Sequence, residues 1–221
     1  MYQPAHFVEH DQDALLALMQ AAPLATLIRG GAELAADVMP LEVDRTATGW
    51  RLSGHVARAN ALWREADGQQ VLALFQGPQA YVSPNWYPGK AQHGKAVPTW
   101  NYTMVQAHGT LRAIEDPQWL LAFVTRLTER HEGGRALPWH VADAPADYIA
   151  SMLRAIVGIE IEVTRLEGKF KLSQNRPAED RTGVALGLEA DASLALQPEA
   201  DALAQQMLLA EQRRRDGGAV R

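Results

Sequence analysis

Cysteine is absent from the 221-residue sequence. Without thiols the chain can form neither disulfides nor zinc–thiolate centres, and a cysteine nucleophile is excluded as well. Positive charge is also limited, because 21 Lys and Arg stand against 26 Asp and Glu and give a formal net charge of −5. A nucleic-acid-binding domain usually carries a basic surface, so the overall charge does not favour that role.

Long apolar runs are missing too. None approaches the ~20 residues that a membrane-spanning helix needs. The opening "MYQPAHFVEHDQD" has no basic stretch followed by an apolar one, which a signal peptide would show. We therefore expect a cytoplasmic protein without a membrane partner. With 47% hydrophobic residues, the chain suffices for one large domain, or for one domain with an appended piece.

Nucleotide-binding signatures are absent or incomplete. No G-x-G-x-x-G fingerprint occurs, so a dinucleotide-binding Rossmann fold is not favoured. Gly89, Gly94 and Lys95 fit the start of a phosphate-binding P-loop, but the next residue is alanine instead of the Ser or Thr that holds magnesium. Pro98 also blocks the helix that a P-loop needs after its lysine. We interpret the match as chance and reject a nucleoside triphosphatase.

What the sequence does contain is a series of short apolar segments separated by turns. We predict strands at "PLATLIRG", "ELAADVMPLEVD", "WRLSGHVA", "QVLALFQG", "AYVS", "PTWNYTMVQAHGTLRAI" and "GIEIEVTRLEGKFKLSQN". Helices are predicted after Asp11, after Asn60, from Pro117 to Gly133 and from Pro145. Many strands with few strand–helix–strand units favour an α+β, mainly β fold: a small antiparallel barrel with peripheral helices.

Two segments carry candidate anion-binding groups. "LSGHVARANALW" delivers Ser53, His55 and Arg58 from a strand to a predicted helix start at Asn60, and free N–H groups with a nearby arginine suit an anion. The alternative is a capped helix with a surface arginine. In "EGKFKLSQNR", Lys169 and Lys171 lie on the same face of a strand. They could bind an anion there, or they could simply be exposed to solvent.

A third segment, residues 81–102 ("YVSPNWYPGKAQHGKAVPTWNY"), concentrates aromatic surface. The chain has six Trp and five Tyr residues, and five of these eleven lie in this segment. Its three prolines exclude a continuous helix. With "MYQPAHF", "GHVARANALW", "AIVGIEIEVTRLEGKFKLSQNR" and "DRTGVALGL", this segment resembles the PaiB family, the FMN-binding negative transcriptional regulators. The resemblance covers residues 1 to about 190.

The resemblance implies a split β-barrel like that of pyridoxamine-phosphate oxidase, assembled as a homodimer with FMN at the subunit interface. Residues 1–190 would form this domain. The resemblance does not cover residues 191–221, where the segment "PEADALAQQMLLAEQRRR" by itself predicts a C-terminal helix with a basic tail. Trp86, Tyr87 and Trp100 would then pack across the dimer or line the flavin pocket. The alternative is that they fill one end of the barrel.

The same resemblance implies a set of cofactor-binding residues. Ser53, His55, Arg58 and Asn60 would hold the FMN phosphate. Backbone groups of Met39, Pro40 and Leu41 would face the edge of the flavin ring. Lys171, Gln174 and Asn175 would approach the ring from the last strand, and Trp100 from the aromatic segment.

The biological role stays open at this stage. The family implies a negative transcriptional regulator, but DNA binding is weakly supported. The chain is acidic overall, and the only candidates for phosphate contact are basic groups near Lys169, Lys171, Arg176 and Arg181 and in the "EQRRR" tail. A flavin-dependent oxidoreductase is the alternative, since the flavin itself supplies the redox chemistry. A third alternative is a haem-binding split barrel with His55, His93 or His108 as the ligand.

Overall fold

The computed structural model describes residues 1–31, 33–47, 49–190 and 199–218. Within them lie eight strands: β1 (Val8–Glu9), β2 (Leu24–Arg29), β3 (Ala35–Pro40), β4 (Glu42–Thr46), β5 (Gly49–Ala57), β6 (Gln70–Val82), β7 (Thr99–Ile114) and β8 (Ile156–Lys171). The α-helices in the same residues are α1 (Gln12–Ala21), α2 (Leu62–Glu65), α3 (Lys90–His93), α4 (Pro117–Glu132), α5 (Ala146–Arg154), α6 (Ala178–Ala190) and α7 (Ala200–Gly218). Among the described residues, no helix is both long and apolar enough to cross a membrane.

The strands form one sheet in the order β3-β2-β6-β7-β8-β5-β4, and β1 pairs with β8. The assigned pairings are antiparallel, including the long ladder that runs from Trp50 opposite Val163 to Ala57 opposite Ile156. Local signals placed several helices correctly. The Asp11 carboxylate accepts the backbone N–H of Asp13 at 3.0 Å and begins α1, as its sequence position predicts.

One predicted strand, "ELAADVMPLEVD", is instead two strands that separate at Leu41. β3 pairs with β2 and β4 pairs with β5, at opposite ends of the strand order. The Leu41 N–H donates to the carbonyl of Pro23 at 2.9 Å. A β-carbon on Gly54 would lie 2.9 Å from Leu41 Cδ2 and 3.0 Å from the Pro40 carbonyl oxygen, so this crossing of β5 requires glycine.

Two further predictions need correction. The segments "QVLALFQG" and "AYVS" are one continuous strand, β6, which passes through Gly77 and Pro78. A side chain at Gly77 would lie 2.4 Å from the Thr103 hydroxyl oxygen, so close packing explains the glycine better than a turn does. The helix predicted across "NALWREAD" is only the four-residue α2.

The chain divides into two compact units, and β6, β7 and β8 contribute residues to both. The first unit comprises Met1–Leu18, Gln76–Val105 and Glu167–Arg221, and the second comprises Met19–Phe75 and Gln106–Leu166. The predicted domain boundary at residue 190 stays a prediction, since residues 191–198 and 219–221 lie outside the described residues. The helix α7 belongs to the first unit.

The first unit has its own apolar core, which joins strand, loop and helix residues. Its members include Val82, Tyr87, Leu172, Val184, Leu188, Leu203 and Met207. Trp86 packs against α6, because a β-carbon at Gly187 would lie 2.4 Å from the indole Cγ. Arg181 on α6 makes a two-pronged ion pair with Glu211 on α7, with N–O distances of 2.7 and 2.9 Å.

The core of the second unit contains apolar strand residues. Leu27, Leu52, Phe75, Ile159 and Ile161 are fully buried there. The Glu42 carboxylate is also buried in this unit and pairs with Arg126 at 3.0 Å and with Arg130 at 3.4 Å. These ion pairs attach α4 to the first residue of β4.

Candidate functional site

Arg58 is the principal candidate for a phosphate ligand, and its side chain bonds to other residues of the second unit. Its Nη1 lies 2.5 Å from the Glu115 carboxylate. Its Nε donates to the carbonyl of Arg154 at 2.9 Å, and its Nη2 donates to the carbonyl of Ile156 at 3.2 Å. Each of the three guanidinium nitrogens therefore already donates within the second unit. The predicted phosphate role of Arg58 stays a prediction.

Asn60 is similarly engaged. Its Oδ1 accepts the Leu62 N–H at 2.8 Å, and its Nδ2 donates to the Asp37 carboxylate at 3.1 Å. The N-cap residue of α2 is Ala61, one position after the predicted Asn60, and the four-residue helix has too few aligned peptide dipoles to attract an anion as a longer helix does.

Ser53 and His55 lie on β5. Ser53 is 2% exposed and stands opposite Glu42 on β4 and Glu160 on β8. The His55 ring meets the Phe123 ring edge to face at 5.9 Å. Burial lowers the pKa of His55 below its ordinary value, so the imidazole is neutral near pH 7.

The Met39–Pro40–Leu41 corner offers fewer backbone groups than the resemblance implies. The Leu41 N–H is occupied by the Pro23 carbonyl, and Pro40 has no N–H to offer. Met39 and Leu41 side chains are buried. The predicted backbone contacts of this corner with the flavin ring stay a prediction.

The other predicted residues belong to the first unit, where a cavity of about 100 Å³ lies beside the end of β8. Its lining residues are Tyr87, Val97, Pro98, Thr99, Lys171, Ser173, Asn175 and Arg176. Lys171 and Asn175 are among the residues predicted from sequence to bind the cofactor. Tyr87 was expected from sequence at the dimer interface or the flavin pocket, but its proximity to Arg176 in the turn after β8 was not predicted, because the two residues are 89 positions apart.

Lys171 points its ammonium group at two acceptors. Its Nζ donates to the Thr99 hydroxyl at 2.8 Å and to the Trp100 carbonyl. Burial, followed by the neighbouring charges of Lys169 and Arg176, lowers the pKa of Lys171. An anion placed nearby would relieve this repulsion.

Gln174 and Ser173 build the turn after β8. The Gln174 side chain accepts the Leu172 N–H at 2.7 Å and donates to the Phe170 carbonyl, so it holds its own turn. Ser173 has a left-handed backbone with φ 62°. Its hydroxyl accepts from the buried Asn101 amide at 2.9 Å. Whether Gln174 also contacts a cofactor stays a prediction.

Tyr87 is 4% exposed, and its hydroxyl has no hydrogen-bond partner among the described residues. The Arg176 guanidinium stacks over its ring, 4.9 Å from the centroid. Trp100 differs, being 43% exposed, with Nε1 donating to Gln79 at 3.2 Å and its ring edge to face with Tyr81. The aromatic segment therefore divides into a buried part and an exposed pair.

These groups can be tested against FMN, which brings a dianionic phosphate and a three-ring flavin. The cavity in the first unit offers donors and cations that fit the phosphate, and the buried hydroxyl of Tyr87 is a donor without an acceptor. A cavity of about 100 Å³ does not enclose the ring, since ligand pockets span ~300–1,000 Å³. Within the described residues, no group of three or more His, Asp or Glu is arranged to hold a metal ion.

Solved structures that are similar to this chain include the following two. One is the flavocytochrome Anf3 from Azotobacter vinelandii, with a TM-score of 0.56 at 15% identity, covering 79% of this chain and 74% of that one. The other is the FAD and heme binding protein from Mycobacterium smegmatis, with a TM-score of 0.58 at 14% identity, covering 79% and 78%. The fold class is therefore the predicted one: α+β, mainly antiparallel, a split β-barrel with peripheral helices.

The sequence comparisons identify the family. The family profile described as "Putative FMN-binding domain" matches residues 1–165. The Bacillus subtilis protein named "Protease synthase and sporulation protein PAI 2" is 30% identical over 187 residues, covering 83% of this chain and 87% of that protein. The chain belongs to this FMN-binding family, which confirms the resemblance to PaiB proteins and the expectation of a flavin cofactor.

Fungal relatives match over a shorter part. An uncharacterized Aspergillus fumigatus protein is 39% identical over 154 residues, covering 62% of this chain. An uncharacterized Emericella nidulans protein is 38% identical over 165 residues. The chain spans 59% and 66% of these two relatives' own lengths.

Proposed function

We propose that the protein is an FMN-binding homodimer of the PaiB type that lowers the transcription of target genes. Flavin binding rests on the family match. The dimer rests on one observation in the second unit: the sheet face that points away from the core is apolar.

That surface, here called the outer face, is defined by strand register in β2, β3 and β6. Residues opposite one another or two apart share a face. The pairings Leu24–Pro40, Thr26–Val38, Thr26–Leu74, Ile28–Ala36 and Ile28–Leu72 therefore align eight residues, of which only Thr26 is polar. Leu24 is 63% exposed and Val38 is 65% exposed.

An antiparallel sheet with one face in water normally alternates apolar and polar residues. Here the core-side residues, such as Leu27 and Phe75, are buried, and the opposite side is apolar as well. A contiguous apolar patch of this kind is typical of a protein–protein interface. A second copy of the chain is the proposed partner for this face.

The dimer is tested by Val38→Glu, which places a charge on the outer face. Light scattering at micromolar concentration is expected to give the mass of two chains for the wild type and of one chain for the variant. Leu137→Glu is the matched control, because Leu137 is 91% exposed and lies outside the outer face. A wild-type mass of one chain, or equal dissociation of both variants, would contradict the proposal.

Every cofactor residue predicted from sequence is kept as a proposal, in each unit by itself. In the second unit these are Ser53, His55, Arg58, Asn60 and backbone groups of Met39, Pro40 and Leu41. In the first unit they are Trp100, Gln174, Lys171 and Asn175, and Lys171 and Asn175 line the cavity. Bound FMN supplies the redox chemistry, and the chain binds and orients it. Fluorescence titration is expected to show tighter binding of FMN than of FAD. Tighter FAD binding would reject this assignment.

The regulatory role is supported by the family resemblance, while DNA contact by this chain has little support. On α7, Arg213 lies 3.2 Å from Asp11 and Arg215 lies 3.8 Å from Glu211, so acidic neighbours offset these cations. We expect weak, salt-sensitive and unselective DNA binding in gel-shift assays. Deletion of the residues after Leu209 should remove most of it. Tight, salt-resistant and selective binding by the full chain would contradict this expectation.

A visible spectrum before and after NADPH addition separates the regulator from its alternatives. A flavin band that NADPH leaves unchanged supports a ligand-binding regulator. Rapid bleaching of the flavin band by NADPH supports an oxidoreductase. An intense haem band in the purified protein would replace both interpretations.

A further inference from the structure

We propose that the cavity of the first unit is an oxyanion site that takes a dianionic phosphate group. The group belongs either to FMN or to a separate phosphate-bearing small molecule. The residues that carry the proposal are Tyr87, Lys171, Ser173 and Arg176. The FMN source rests on the proposed function above, whereas the phosphate chemistry does not.

The charge around the cavity has one sign. Of the described residues that line it, two are cations and none is acidic. The surrounding sequence repeats this bias, because residues 76–105 and 168–178 contain no Asp or Glu and carry all four lysines of the chain. A chain with net charge −5 thus presents a local positive field, which attracts anions. The cavity volume of about 100 Å³ suits a tetrahedral oxyanion.

The two cations retain unused hydrogen-bonding capacity. An ammonium group has three N–H donors, and Lys171 uses two of them on Thr99 and Trp100. Arg176 stacks on the Tyr87 ring, and no carboxylate in the described ranges lies within ion-pairing distance of its guanidinium. Stacking leaves the edge of a guanidinium free, and that edge matches a phosphate in two-pronged geometry.

The buried hydroxyl of Tyr87 points to a ligand independently of the charges around the cavity. The side chain is more than nine-tenths buried, and its O–H has no acceptor among the described residues. A buried polar group without a partner lowers stability, so native proteins rarely keep one without a use. A phosphate oxygen in the cavity would accept this hydrogen bond, between two cations.

The backbone of the turn after β8 is constrained in a way that serves the same site. Ser173 is a non-glycine residue with φ 62°, a conformation that costs free energy and concentrates at functional sites. The buried Asn101 amide holds its side chain at 2.9 Å. The Arg176 N–H then closes the turn on the Ser173 carbonyl at 2.9 Å. This turn sets Arg176 beside Lys171 despite their like charges.

The proximity of these like charges has a measurable effect on the pKa of Lys171. Burial and the charges of Lys169 and Arg176 lower the pKa of Lys171. A dianion among these groups would stabilise the charged ammonium group, so its binding should raise the pKa of Lys171 again. The arrangement is unfavourable without a ligand and favourable with one.

The test uses inorganic phosphate as the probe and calorimetric titration of the full chain. Arg176→Gln is expected to weaken phosphate binding about tenfold or more, as loss of a charge-assisted hydrogen bond does. Tyr87→Phe keeps the ring and the fold, and is expected to weaken binding about fivefold by loss of one hydrogen bond. Lys95→Gln is the matched control: it removes the same charge from an exposed residue of the first unit that does not line the cavity, and should change affinity less than about twofold.

FMN and riboflavin distinguish the two sources of the phosphate. If the group belongs to FMN, Arg176→Gln and Tyr87→Phe weaken FMN and leave riboflavin affinity unchanged, and phosphate competes with FMN. If it belongs to a separate molecule, FMN affinity is unchanged in both variants and FMN-loaded protein still binds phosphate. Both results support the site.

Three results would overturn the inference. They are absence of phosphate binding by the wild type, wild-type affinity in both cavity variants, and an equal loss in Lys95→Gln and Arg176→Gln. Failure of the wild type to bind any flavin would reject the proposed function instead. The phosphate titration would still decide the oxyanion site.

Discussion

Replacement of Arg58 by alanine separates a structural role from a cofactor-binding role. The side chain makes two hydrogen bonds to backbone carbonyls and one ion pair to Glu115. A hydrogen bond from a charged donor contributes about 1.5 kcal/mol, and solvent lowers that figure for a partly exposed side chain. The ion pair adds about 0.5 kcal/mol, because the side chains are 37% and 56% exposed and solvent screens them. We expect Arg58→Ala to lower the free energy of unfolding by about 2–4 kcal/mol.

Urea denaturation and thermal melting without flavin measure this loss. For a chain of this size the melting temperature should fall by roughly 10 °C. Glu115→Gln is the control, because it removes the ion pair alone and should cost about 0.5 kcal/mol. The reasoning fails if Arg58→Ala unfolds like the wild type while FMN affinity drops tenfold or more. That result would mean that Arg58 releases its present partners to bind the cofactor phosphate.

Three other changes test packing and protonation. Gly187→Ala should destabilise the protein by about 1–3 kcal/mol in urea, since its β-carbon would lie 2.4 Å from an indole ring; Gly134→Ala, where nothing lies within 4 Å, should change stability by less than about 0.5 kcal/mol. Arg181→Met leaves the largely buried Glu211 carboxylate with only the exposed Arg215, 3.8 Å away, and should lower the free energy of unfolding by about 2–3 kcal/mol, with faster proteolysis of α7. The lowered pKa of His55 means that the unfolded state binds its proton first, so stability should decline as pH falls below 6.5. His55→Gln should flatten that decline in urea midpoints measured against pH.

Features with local chemical causes were predictable from the sequence. Asp116 begins α4 by accepting the Gln118 N–H at 2.9 Å, and Pro117 occupies the first helical position. Both follow from a few neighbouring residues. The division of "ELAADVMPLEVD" at Leu41 was not predictable, because it depends on a contact with Gly54 of another strand.

The candidate site shows the same limit. Residues in one motif, such as Ser53 and His55, were recognised together because they are adjacent on a strand. The pairing of Arg58 with Glu115 joins residues 57 apart, and the stacking of Arg176 on Tyr87 joins residues 89 apart. No local pattern encodes such contacts, so sequence analysis predicted neither the Glu115 partner of Arg58 nor the pairing of Tyr87 with Arg176.

The core of the first unit sets where this chain can be cut. The family match ends at residue 165, inside β8, whereas Val184, Leu203 and Met207 come from beyond that point and bury Val82. A recombinant fragment trimmed to the matched range would leave that apolar surface in water and should aggregate. Fragments for expression should therefore retain α6 and α7, because a boundary drawn by sequence similarity does not coincide with a boundary of folding.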